Sequence, residues 1–196
     1  MLPLWFLYIA AAMRIGGGLA YLTATLRGKA KPNPVSWMLW GALPIIAFSA
    51  EISAGVGHEA IITLALGVSP ILVFVTTMLK NPRSFELKGL NLICVIIALT
   101  GIAAWTVTKT PEFAIGLMIL ADFASAVPTI RKTWRQPKSE FSPTYLVSAI
   151  SMVIALLTIT DWRFAAVAYP AYTLGINLLI FTLARRSPRR EKRKRR

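Results

Sequence analysis

Seven apolar stretches alternate with short polar links along the chain, at about 3–26, 34–54, 60–79, 89–107, 112–130, 143–160 and 164–184. Each approaches the roughly 20 residues that one helix needs to cross a hydrocarbon layer about 30 Å thick. In lipid an open element must satisfy its own backbone, and only a helix does so, so the pattern predicts seven transmembrane helices and an all-α membrane protein. The first stretch lacks a basic leader, carries Arg14 inside it and is too long for a secretory signal, so it is expected to be retained as a span.

The pattern also repeats. Ala24-Thr25-Leu26-Arg27 closes the first stretch and Pro128-Thr129-Ile130-Arg131 closes the fifth, 104 residues later. Both lead into a basic link, and the stretches that follow open on proline and an aromatic, Pro34-Val35-Ser36-Trp37 and Pro143-Thr144-Tyr145. The third and seventh stretches close at nearly the same offset, at Pro82 and Pro188. Stretches one to three and five to seven therefore form two units with the fourth unmatched between them. Three spans is an odd number, so without the fourth the second unit would be inverted; with it the two face the same way. The expected organisation is a first triple-helix bundle over 1–84, a linker helix over 85–110, a parallel second bundle over 111–186 and a polybasic tail over 187–196: a 3+1+3 architecture.

Composition fits this picture. Of the 196 residues 56% are hydrophobic and 15% charged, and a water-soluble domain could not cover that much apolar surface. A net charge of +14 suggests nucleic acid until the cations are placed. With the N-terminus outside, all but Lys109, Arg163 and the intramembrane Arg14 of the 22 Lys and Arg residues fall on the inner side. That is the positive-inside bias of a protein with an odd number of spans, and it argues against a nucleic-acid role. Trp5, Trp105 and Trp162 fall near outer ends and Trp37 and Trp40 near an inner end, as belt residues do. The tail from Arg185 to Arg196 suits a topology anchor drawn to anionic headgroups. Cys94 is the single cysteine and His58 the single histidine, so neither an intrachain disulfide nor a metal site is expected. No nucleophile motif or phosphate loop occurs, so no enzymatic activity and no cofactor is expected.

The segment Val127-Pro128-Thr129-Ile130-Arg131-Lys132-Thr133-Trp134, followed by Lys138-Ser139-Glu140-Phe141-Ser142, resembles the PQ-loop signature: a Pro-Gln pair at a helix end, then a basic link with Lys-Ser. Thr129 stands where that signature has glutamine, and Ala24-Thr25 where the first half would carry Pro-Gln. The whole layout is similar to that of the SWEET and PQ-loop superfamily, and the first link, Arg27 to Trp37, to a bacterial branch of it. The resemblance implies a bacterial inner-membrane carrier with a flexing helix at Pro128, and it points to Asn177 as a solute contact. The repeat partner of Asn177 is Ile71, so a symmetric asparagine pair is missing.

Arg14 and Asp122 are the ionisable residues deep in the spans, each about 15 Å from a helix start at 1.5 Å per residue. Intramembrane charges are costly unless paired, which predicts an Arg14–Asp122 ion pair between the first and fifth spans, at the junction of the bundles. It either lines a solute route or only holds the halves together. Gly16-Gly17-Gly18 allows close helix approach or, alternatively, a broken helix with carbonyls facing a cavity. Gly17, Pro44 and Pro128 are candidate hinges, and Pro70 a further kink. Asn177, Ser125, Ser69, Tyr169 and Tyr172 are the other polar groups at membrane depth, although serines commonly bond back to their own helix. The reading is facilitated diffusion of a small polar solute, sugar or amino-acid-like, by rocking bundles, with homo-oligomers allowed. The rival is a non-transporting receptor or assembly scaffold that holds a partner on its basic inner surface.

Overall fold

The computed structural model describes residues 2–3, 5–53, 59–107, 111–160, 162 and 164–186; the expectations placed on His58, Lys109, Arg163, the Trp105 side chain and the 187–196 tail lie outside the described residues. Within them the chain is all-helical: α1 Phe6–Leu26, α2 Pro34–Ser53, α3 Glu59–Lys80, α4 Leu90–Val107, α5 Pro111–Arg135, α6 Ser142–Thr158 and α7 Phe164–Ala184, with 3-10 turns at Pro82–Ser84 and Pro137–Ser139.

Local chemistry explains the ends. α1 stops in a Schellman arrangement, with Gly28 at φ +70°, the Gly28 N–H donating to Thr25 O and the Lys29 N–H to Ala24 O. Lys80 Nζ donates to the Thr25 and Leu26 carbonyls, the first of them shared with Gly28, tying the ends of α1 and α3 together. Asn33 caps α2, its Oδ1 accepting from Val35 and Ser36 N–H at 3.0 and 3.2 Å, with Pro34 at the first helical position. α5 runs past the apolar stretch to Arg135, so Arg131 and Lys132, expected at the start of a link, lie on its last turns. Arginine and lysine are good helix formers, and it is Pro137, which cannot donate, that ends the run.

Prolines 44, 70, 128 and 170 all lie inside continuous helices. α1 is likewise α-helical through Gly16-Gly17-Gly18, which corrects the broken-helix alternative. A Cβ on Gly18 would come within 2.3 Å of Ser69 Oγ of α3, and one on Gly17 within 3.4 Å of Val147 of α6. The Gly17 carbonyl accepts from Thr144 Oγ1 at 2.9 Å. The glycines are there so that α1 can lie close to two helices at once.

The packing follows a pattern. α3 packs against both α1 and α2, and α7 against both α5 and α6. α1 lies on α6 and α2 on α5, and α4 rests on α5 with a lighter contact to α2. The C-terminal ends of α1, α3 and α5 and the N-terminal ends of α2, α4 and α6 gather at one basic end of the molecule.

The core is built from small and hydroxylated residues. Ala24, Ala98, Ala121, Ala126, Ser36, Ser125, Thr129, Thr133 and Ser151 are buried, beside the aromatic group Tyr21, Trp37 and Tyr145. Outward faces carry aliphatic stripes at helical spacing: Leu72, Val75 and Leu79 on α3, and Ile150, Val153 and Leu157 on α6. By length and composition two segments, Phe6–Leu26 and Val167–Ala184, can cross a membrane; Leu66–Lys80, Leu90–Thr100 and Ser142–Thr158 are shorter apolar helices. Trp5 and Trp162 are exposed, but Trp37 is buried, its ring 4.3 Å from Tyr21 and 5.6 Å from Trp40, so it belongs to the core rather than to a belt.

Candidate functional site

α5 and α7 pack side by side and bring Asp122 opposite Tyr172, whose hydroxyl donates to Asp122 Oδ2 at 2.8 Å. Tyr169, one turn earlier on α7, places its ring 6.2 Å from that of Tyr172. Arg14 on α1 is half-buried and near enough for its charge to act on Asp122 and Tyr169, but it makes no ion pair with Asp122. The expected contact pair is therefore replaced by a tyrosine–carboxylate hydrogen bond with the guanidinium close by. A permanent cation, a carboxylate and two phenols are thus gathered from three helices, a set with both hydrogen-bond donors and acceptors.

The other candidate residues do not join this group. Asn177 Nδ2 donates to Thr173 O of its own helix at 2.8 Å, and Ser125 Oγ to Ala121 O at 2.8 Å. Ser69 is buried against Gly18, where α1 meets α3. Gly17 is packed rather than open, Pro128 lines a groove at the basic end, and Pro44 lies in α2 close to Gly67 of α3.

A second polar group lies at the basic end and was not foreseen. Glu140, in the link between α5 and α6, is buried; its Oε2 accepts from Tyr21 Oη of α1 at 2.5 Å and from Tyr145 Oη of α6 at 2.7 Å. Its Oε1 faces Lys132 Nζ of α5 at 2.5 Å. Lys132 also donates to the Lys31 carbonyl in the link between α1 and α2, and the Lys31 N–H donates to Ser139 O at 2.7 Å. One carboxylate thus ties α1, α5 and α6 and, through Lys132, both basic links. A buried ion is tolerable on these terms, with a cation and two hydroxyl donors meeting its oxygens. The signal was present in the sequence, because Glu140 is the lone acid in a run otherwise holding Arg131, Lys132, Arg135 and Lys138.

Among the described residues no group of three or more His, Cys, Asp or Glu side chains could hold a metal ion. Compared with family models, with curated proteins and with solved structures, the chain matches none.

Proposed function

We propose that the chain is a seven-span membrane carrier of SWEET and PQ-loop-like 3+1+3 build, moving a small polar solute across a bacterial inner membrane with its N-terminus outside and its C-terminus in the cytoplasm. The observation that carries this reading is the matched packing of two trios. Exchanging α1, α2 and α3 for α5, α6 and α7 turns the α1–α6 contact into the α5–α2 contact, and both exist. Two like units meeting across such an interface can rock about a central site, and Asp122, Tyr172 and Arg14 stand near it. Aliphatic stripes outside and a small, hydroxylated interior are what helices packed in lipid carry. In this reading the Glu140 cluster, which ties α1, α5 and α6, lies at the cytoplasmic end.

Proteoliposomes charged with a panel of sugars, amino acids and organic ions test the proposal. The wild-type protein moves at least one member, and Asp122→Asn abolishes that flux while the variant still inserts and melts like the wild type. Flux through neither protein would favour the scaffold reading, to which the Glu140 cluster tying α1, α5 and α6 lends itself. Loss of folding in the variant would make Asp122 structural.

A further inference from the structure

One side of α5 bears Pro128, Arg131, Lys132 and Arg135, spaced as successive residues on a single helical face. That face forms the wall of an open groove of about 460 Å³ at the basic end. The opposite wall is Lys88 and the first turn of α4, and Asn33, at the start of α2, adds a side chain from the third direction. Gly89, at φ +52°, makes the turn that brings Lys88 and the head of α4 to the groove, a conformation that disfavours any residue with a Cβ.

The charges are unbalanced. Lys132 is occupied by Glu140, but among the described residues no carboxylate pairs with Lys88, Arg131 or Arg135, and none lines the groove. Arg131 and Arg135 stand one turn apart on the same face, where like charges repel. The leading N–H groups of α4 have no partner inside their helix, so the dipole adds to the cationic field. The oxygen of Asn33 is taken by the cap of α2, which leaves its amide hydrogens as donors. Three uncompensated cations from two elements, neutral donors between them and room for a small group together select a compact anion with several acceptor oxygens.

We propose that this groove is a phosphate-binding site, taking either the phosphodiester headgroup of an anionic lipid or a free phosphate. The exposed aliphatic side chains Leu92, Ile93 and Ile96 continue along α4 from the groove and would accompany the acyl chains of a lipid. The site is separate from the Asp122 group, and binding here is read without any flux measurement, so the two proposals fail independently.

Full-length protein in neutral detergent, titrated separately with phosphatidylglycerol, phosphatidylcholine and inorganic phosphate, tests the inference by thermal shift and native mass spectrometry. Phosphatidylglycerol or inorganic phosphate binds the wild type and phosphatidylcholine does not; which of the two binds identifies the source. The double variant Arg131→Gln/Arg135→Gln weakens that binding about tenfold or more, while Arg27→Gln, an exposed cation outside the groove, leaves it within about twofold. Should the double variant fail to fold, Lys88→Gln in the link before α4 takes its place with the same expectation. Binding of neither anion, or equal losses from the groove variants and Arg27→Gln, overturns the proposal.

Discussion

Glu140 shows how one side chain can organise an all-helical core. Withdrawn from water, its carboxylate is met by Tyr21, Tyr145 and Lys132, and removing any one partner leaves the others with unsatisfied charge or donors. Glu140→Ala is expected to lower stability by about 3–5 kcal/mol and Tyr145→Phe by about 1–2 kcal/mol, read from unfolding in detergent. Combined, Tyr21→Phe and Glu140→Ala should cost less than the sum of the two, because each removes the same bond; strict additivity would show that the short Tyr21–Glu140 contact carries no coupling. At this scale the sequence was only half legible. Depth along the apolar stretches singled out Arg14 and Asp122, and both are indeed half-buried with Asp122 bonded by Tyr172. Depth says nothing of the direction in which a side chain leaves its helix, and so the ion pair expected between them is absent. Depth likewise gives no hint of Glu140, which lies in a link and is buried only because α1 and α6 close over it.

Helix limits were far easier to read. The apolar runs and the prolines that open α2 and α6 set boundaries within a few residues of those observed, because these are local effects of backbone chemistry. α5 is the exception, extended by charged residues that favour helix as much as apolar ones do. What one run cannot reveal is its neighbour. α2 and α3 approach so closely that a Cβ on Gly41 would lie 2.9 Å from the Ile71 backbone nitrogen, and one on Gly67 2.9 Å from the Gly41 carbonyl. Gly41→Ala or Gly67→Ala must push the two helices apart and is expected to cost about 1–3 kcal/mol in detergent unfolding. Gly175→Ala on α7, where a Cβ meets nothing within 4 Å, should leave stability unchanged or raise it by up to about 1 kcal/mol. If all three variants melted alike, the close α2–α3 approach would be wrong.

The whole molecule is held by contacts between the two trios: α1 on α6, α2 on α5, and the Lys31–Ser139 and Lys132–Lys31 bonds that join the two basic links. The offset of 104 residues between Arg27 and Arg131 made the repeat visible in one dimension, but which helix of each trio would lie between its partners was not written in any local signal. At α3 that order is helped by small residues, since Gly18, Gly41 and Gly67 let it lie against both α1 and α2, a property of assembled surfaces. The proposed carrier rests on these trios facing the same way across a bilayer, and impermeant maleimide labelling of single cysteines in inverted and right-side-out membrane vesicles tests this most directly. In a Cys94→Ala background, Lys29→Cys and Lys138→Cys should both react only from the cytoplasmic face and Lys109→Cys only from the opposite one. Labelling of Lys29→Cys and Lys138→Cys from opposite faces, or of all three from one, would contradict the account.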